Sequence, residues 1–265
     1  MTILDKIIAN KRIEIAAQKE VVSPDELKEI CQTARVCHSF KAALLASETG
    51  IIAEFKRKSP SKGFIKEGAA VADIVPGYAR SGAAAISVLT DSDFFGGSLD
   101  DLREARLLLD AEGFKTPLLR KEFIVDEYQL YQAKACGADF VLLIAAVLTP
   151  AETTRLAEVA HALGLEVLLE IHNEAELANI SPVIDVVGIN NRNLATFVTD
   201  INTSVSLGEK IPHSYIRISE SGISEPETVR TLRAEGFLGF LMGENFMKQT
   251  NPAQALQEFV AAVRR

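Results

Sequence analysis

At 265 residues the chain is long enough for one large α/β barrel or for two small domains. Hydrophobic residues make up 48% of it and there is no Trp, so the expected core is aliphatic. The net charge of −8 excludes nucleic acid and anionic membrane as the main partner, while an anionic small ligand stays open because local basic groups and amides decide that.

At the start, Ile3, Leu4, Ile7, Ile8 and Ile13 recur at helical spacing, interrupted by Asp5, Lys6, Lys11 and Arg12. That is an amphipathic helix and no signal peptide. Ser23-Pro24-Asp25-Glu26 supplies an N-cap with Pro at N1 for a second helix. Residues 1–48 read as a helical extension of two or three helices, packed on the remainder as part of one domain covering 1–265.

The stretch 51–63, IIAEFKRKSPSKG, begins as a buried strand and turns into alternating charge. Glu54 and Lys56 stand at i, i+2, which on a strand points both side chains to one face. It reads either as the mouth of a site or as a strand ending in ordinary surface charge; Lys58 and Lys62 read as surface lysines. Further strands are expected over 84–89, 117–120, 140–144, 166–169, 186–189, 216–219 and 237–242, which with 51–55 makes eight. Helical patterns lie between them, for example 126–136, 150–163 and 225–234. Starts are marked by Val125-Asp126-Glu127, Thr149-Pro150-Ala151-Glu152 and Ser224-Glu225-Pro226-Glu227. Gly82, Gly137, Gly164 and Gly236 mark the returns to strand, where a left-handed cap is needed.

Near-continuous apolar strands joined by helices indicate a parallel sheet covered on both faces. The fold class is therefore α/β, a single (β/α)8 TIM barrel with an N-terminal helical extension; an open doubly wound sheet is the alternative, weakened by the lack of GxGxxG after the first strand. No apolar run is long enough to span a bilayer. Cys31, Cys37 and Cys136 are odd in number and lack CxxC spacing, so they read as small core residues of a cytoplasmic protein. The four histidines form neither HxH nor HExxH, so a metal site is not expected.

In such a barrel, chemistry sits where strands end and βα loops begin. Those ends carry Glu54 and Lys56, Thr90-Asp91, Arg120-Lys121-Glu122-Phe123, Glu170, Asn190-Asn191-Arg192-Asn193, Ser219-Glu220-Ser221-Gly222 and Gly243-Glu244-Asn245. The opposite ends are mostly Gly and Ala. Lys56, Lys121, Glu54 and Glu170 can shift one another's pKa for acid–base work, or form a structural ion network, or present a Schiff-base lysine. Asn190 and Arg192 suit a carboxylate, because a guanidinium fork matches it. Gly222 and Gly243 follow the last two strands, where barrels often bind phosphate through backbone amides.

Beyond any one motif, the chain resembles the indole-3-glycerol phosphate synthase family of tryptophan biosynthesis. The likeness runs through Ile3-Leu4-Asp5-Lys6-Ile7, Ala53-Glu54-Phe55-Lys56-Arg57-Lys58-Ser59-Pro60-Ser61, Ser87-Val88-Leu89-Thr90-Asp91 and Phe94-Phe95-Gly96-Gly97-Ser98-Leu99. It continues through the segments 119–129, 188–194 and 219–223. The resemblance implies a carboxy-lyase that closes the ring of 1-(2-carboxyphenylamino)-1-deoxyribulose 5-phosphate with loss of carbon dioxide and water, and that needs no cofactor or metal. It implies Lys121 as general acid, Glu170 as base or relay in the dehydration, Lys56 on the departing carboxylate and Glu54 tuning it. Ser59, Ser221, Gly222, Gly243 and Glu244 would hold phosphate, Asn190 and Arg192 the anthranilate end, and Phe123 the ring, with Glu220 a further substrate contact. The implied partner is this phosphosugar-anthranilate small molecule; the sequence does not fix the oligomeric state, and a monomer is compatible with it. Glu122 stands where the family often has Asp, and Glu244 where some members have Ser, so the Glu244 carboxylate is expected to turn away from phosphate. The alternatives are an Amadori-type isomerase, which would normally carry an Asp or Cys pair at the strand ends, and a silent phosphosugar-binding protein.

Overall fold

The structure is a computed structural model that describes residues 2–193 and 196–265. Leu194, at the end of one family-like segment, lies outside the described residues. Three helices lead: α1 (Ile3–Val21), α2 (Pro24–Gln32) and α3 (Phe40–Ala46). The strands β1 (Ile51–Phe55), β2 (Ala85–Leu89), β3 (Leu118–Lys121), β4 (Phe140–Ile144), β5 (Glu166–Ile171), β6 (Val186–Asn190), β7 (Ile216–Glu220) and β8 (Gly239–Met242) follow in order around a closed parallel barrel. The ring closes where Ile52 of β1 stands opposite Leu241 of β8.

Helices α4 (Val71–Arg80), α5 (Leu99–Ala111), α6 (Glu127–Ala135) and α7 (Pro150–Ala162) follow β1 to β4 in turn. A 3-10 turn, Glu174–Asn179, takes the place after β5, and α8 (Asn202–Gly208) and α9 (Pro226–Ala234) follow β6 and β7. The short α10 (Glu244–Met247) and then α11 (Pro252–Val263) come after β8. Alternation with period two builds two cores. In β1, Ile51, Ala53 and Phe55 pack outward into the layer beneath the helices. Ile52 points into the barrel, with Leu119, Phe140, Leu168, Ile218 and Leu241.

The extension reaches both ends of the barrel. At the bottom, Phe40 of α3 stacks on Phe140 with ring centroids 3.8 Å apart, and Leu44 joins the same inner cluster. At the top, α1 lies across the strand ends: Ile3, Leu4 and Ile7 line a cavity there. The buried stripe of α1 is Ile7, Lys11 and Ile15, whereas Ile13 is 71% exposed. Lys11 therefore belongs to the packed face that the sequence pattern gave to isoleucines. It is accommodated by ion pairs to Asp91 at 3.0 Å and Glu122 at 3.1 Å.

The expected strand and helix boundaries fall within two residues of those observed, and the larger shifts have local causes. β8 begins at Gly239, because Phe237 is still in the return from α9, packed beneath the Arg217 guanidinium. The N-cap of α9 is Glu225 without a side-chain bond; Ser224 lines the cavity instead. Gly82, Gly137, Gly164 and Gly236 all adopt the left-handed conformation expected of them. Of the cysteines only Cys136 is buried; Cys31 and Cys37 are half-buried, and all three are free thiols.

Candidate active site

The cavity at the C-terminal mouth of the barrel has a volume of about 430 Å³. Its floor is one layer of four side chains, Glu54, Lys121, Glu170 and Glu220, from β1, β3, β5 and β7. Filling a barrel in layers from alternate strands is the ordinary packing of this fold. Two residues earlier on the same strands stand Ile52, Leu119, Leu168 and Ile218, all in the apolar inner cluster. The strand period thus fixes where chemistry begins: one layer is aliphatic and the next is ionised.

Lys121 sits at the centre of that layer. Its Nζ lies 3.2 Å from Glu220 Oε2, 3.4 Å from Glu170 Oε2 and 4.0 Å from Glu54 Oε2. Glu54 also meets Lys56 Nζ, at 2.6 Å from Oε1, so it lies between the two lysines. Burial opposes the charge on Lys121, yet the Glu220, Glu170 and Glu54 carboxylates outweigh it and hold the ammonium well above its ordinary pKa. Glu170 is likewise buried against its charge, but Lys121 and His172 keep it well below the carboxylate range. Glu54 is held low by Lys56 and Lys121 in spite of its burial. Glu220 behaves differently: burial and the Glu170 charge outweigh the pull of Lys121 and push it up to about 7. One carboxylate in this layer therefore sits poised near neutrality while two stay ionised.

The walls come from the βα loops. Phe123 lines one side, its ring 5.8 Å from that of Phe95. Asn190 and Arg192 line another; Asn190 Oδ1 accepts the Arg192 backbone N–H at 3.0 Å. Ser59 stands at the rim on a short antiparallel ribbon in which it pairs with Gly63. Ser221 and Gly222 adopt φ of 67° and 76°. Two successive left-handed residues, the first of them not glycine, turn amides the same way and are backbone strain of the kind kept at ligand sites. A β-carbon at 222 would lie 2.4 Å from Thr199 Cγ2, so glycine is required there. Gly243 caps α10, and the first-turn amides of a helix lack intrahelical acceptors. A β-carbon at 243 would meet Glu54 Oε1 at 2.5 Å. The Glu244 carboxylate turns toward Lys62, whose ammonium is 2.5 Å away.

All thirteen residues singled out from the sequence line this one cavity. Thr90, Asp91, Arg120 and Asn191, also at strand ends, do not. Thr90, Asp91 and Arg120 form a buried network with Glu122 beneath α1: Thr90 Oγ1 donates to Glu122 Oε2 at 2.8 Å, and Arg120 reaches outward to the Gln129 carbonyl. Asn191 points outward, donating to Ser219 Oγ and to the Ser221 carbonyl, so it braces the loop after β7. Lys62, read as a surface lysine, is 53% exposed but lines the rim. Sequence reasoning missed Lys11, Phe95, Gly188 and His172. His172 had a legible signal, since it stands two residues beyond Glu170 on the same strand register. Among the described residues, no group of three or more His, Cys, Asp or Glu is arranged to hold a metal.

A sequence profile described as indole-3-glycerol phosphate synthase matches residues 4–259. An indole-3-glycerol phosphate synthase of Bacteroides thetaiotaomicron is 54% identical over 98% of this chain and 98% of its own length. One from Bordetella pertussis is 42% identical over 98% of this chain and 99% of its own. The chain belongs to the indole-3-glycerol phosphate synthase family. The matched span contains every residue of the ionised layer and both phosphate-loop candidates of this family member. Among solved structures, the D110A tryptophan synthase α-subunit of Pyrococcus furiosus superposes with a TM-score of 0.61 at 15% identity, covering 82% of this chain and 98% of that one. A 3-hexulose-6-phosphate synthase of Salmonella typhimurium gives 0.62 at 12% identity, covering 81% and 98%. At such identities these two speak for the barrel fold alone.

Proposed function

We propose that this chain converts 1-(2-carboxyphenylamino)-1-deoxyribulose 5-phosphate to indole-3-glycerol phosphate, carbon dioxide and water. The observation that carries the reading is the Lys121 ammonium ringed by Glu54, Glu170 and Glu220 in one layer at the barrel mouth. It stands in a chain whose family is defined by that ring closure. Both reacting carbons are already in one substrate, so the protein has to fold it and hold its two ends. Amides of Ser221, Gly222, Gly243 and Glu244, with the Ser59 hydroxyl, would take the phosphate. Asn190, Arg192 and Lys56 would take the anthranilate carboxylate, with Phe123 against the ring.

Lys121, held protonated, donates to the ribulose carbonyl oxygen as the aromatic carbon attacks. Positive charge grows on the anilino nitrogen as aromaticity is broken, and the carboxylates of the layer stabilise it there. Departure of carbon dioxide restores electrons to the ring, with Lys56 and Glu54 beside the leaving carboxylate. Glu170, kept ionised, then accepts the proton from the carbon beside the hydroxyl, while Lys56 donates the proton with which that hydroxyl leaves as water. Glu220, with its pKa near neutrality, supports assignment as a proton store beside Lys121 as well as a substrate contact.

Among the described residues no helix is long and apolar enough to cross a membrane. The three free thiols fit a reducing cytoplasm, where we place the enzyme. Formation of the indole product, followed by its fluorescence, tests the function. No signal from the wild-type protein at any substrate concentration overturns it.

A further inference from the structure

Directly behind Glu170 stands a titratable side chain that the mechanism leaves unused. His172 follows β5 directly and lies behind Glu170, outside the cavity lining. Its Nε2 is 3.2 Å from Glu170 Oε1, and its Nδ1 is 3.3 Å from Glu176 Oε2. The side chains of His172, Glu170 and Glu176 are 7%, 5% and 12% exposed. Glu176 is itself fixed: its Oε2 accepts the His172 backbone N–H at 2.7 Å and its Oε1 accepts Asn173 Nδ2 at 2.6 Å. The imidazole ring therefore stands between two carboxylates that water barely reaches.

Two oxygens of Glu170 thus have different neighbours. Oε2 faces Lys121 and the cavity, and Oε1 faces His172. Building on the synthase reading, we infer that His172 is a positioning residue: held by Glu176, its imidazolium attracts Glu170 Oε1 as an ion-pair partner rather than through an aligned hydrogen bond, and leaves Oε2 presented to substrate. Charged groups reach Glu170 from several elements. Lys121 from β3 and His172 stabilise its anion, Glu54 from β1 and Glu220 from β7 oppose it, and the neutral Asn190 amide from β6 adds a hydrogen bond. Without His172, two like charges in the layer would face one central ammonium with no cation behind Glu170. Burial disfavours the charged imidazole, yet the Glu170 and Glu176 carboxylates raise it to about 10, in keeping with this arrangement.

Carboxyl-carbon NMR of Glu170 and ring-nitrogen NMR of His172 test the inference without needing turnover. In the wild type His172 keeps both ring protons through pH 8. Histidine-to-glutamine at this position, His172→Gln, raises the Glu170 midpoint by about one pH unit or more, and Glu176→Gln raises it by less. In the pH profile of kcat, the acid limb of His172→Gln moves up by the same amount while KM stays within about twofold. His172→Ala additionally lowers the kcat plateau by about tenfold, which the amide of His172→Gln partly restores. Thermal melts of each variant separate these effects from unfolding. A neutral His172 at pH 7 in the wild type, or an unmoved Glu170 midpoint in folded His172→Gln, overturns the inference. A wild type with no turnover but the expected NMR shifts defeats the synthase reading and leaves the ion chain standing.

Discussion

Gly188 and Glu220 occupy complementary space: a β-carbon at 188 would lie 2.3 Å from Glu220 Oε1. The missing side chain on β6 is what lets the β7 carboxylate turn inward to Lys121. Among the described residues Glu220 Oε1 has no hydrogen-bond partner, so it is held by shape. Gly188→Ala should therefore force the carboxylate away from Lys121. The expected result is a fall in kcat of about tenfold or more with a stability loss of about 1–3 kcal/mol. Steady-state fluorescence kinetics and urea denaturation measure the two; unchanged kcat would show that the position of Glu220 is immaterial.

Lys121→Ala removes the centre of the layer. Proton transfer by a positioned side chain contributes about 10²–10⁴-fold, and kcat should drop by that much. The buried carboxylates left behind can take up protons, beginning with Glu220, whose pKa is already about 7. The fold is therefore expected to survive, as circular dichroism would report. Wild-type-like turnover in this variant removes Lys121 from its role.

Glu220 also links stability to pH. Its pKa in the folded protein, about 7, lies above its ordinary value of 4.5, so between these two values the native state binds more protons than the unfolded chain. The contribution of Glu220 is fully present below pH 4.5 and is lost as pH rises through 7. Relative to Glu220→Gln, the wild type should lose stability across that window and then run parallel above it. Urea midpoints at pH 4.5, 6 and 8 give the comparison, and a constant difference between the two proteins contradicts the shift.

The barrel was legible in the sequence because its signals are periodic and local. Continuous apolar strands, glycine returns and Asp126 or Thr149 caps all depend on neighbours within a few residues. The ionised layer was legible for the same reason: a strand period of two carries Ile52 into Glu54 and Leu168 into Glu170. What was not legible depends on contacts far apart in the chain. Asp91 and Asn191 resemble site residues by position, yet one pairs with Lys11 and the other braces Ser221. Nothing local separates an inward strand-end residue from the outward one beside it when both are polar. Gly188 conveyed nothing either, since its value lies in the side chain of another strand.

At the rim, Lys62 and Glu244 form a pair that bears on the phosphate loop. Burial opposes ionisation of Glu244, but the Lys62 ammonium holds its carboxyl below the ordinary value. Lys62→Ala frees an anion next to the proposed phosphate amides, so KM should rise severalfold with kcat little changed. Lys62→Ala combined with Glu244→Ser should restore KM, since the repulsion goes with the carboxylate. Failure of that rescue, or Glu244 oxygens touching phosphate in a complex, refutes the account.

Lys11 offers the strongest test of the extension. Its ammonium is 1% exposed and lies within 3.1 Å of Glu14, Asp91 and Glu122, and these carboxylates raise its pKa against the cost of burial. Removing one partner of a buried ion cluster leaves uncompensated charge and costs about 3–5 kcal/mol. Lys11→Met keeps the length of the stem and removes only the cation, so the loss of stability should fall in that range. Because Ile3, Leu4 and Ile7 of the same helix roof the cavity, KM should rise as well, even where the barrel stays folded. Lys11→Arg, which keeps the charge, should recover part of both. If Lys11→Met melts and binds like the wild type, the helix is held by its isoleucines alone, and the extension and barrel are not coupled through this cluster.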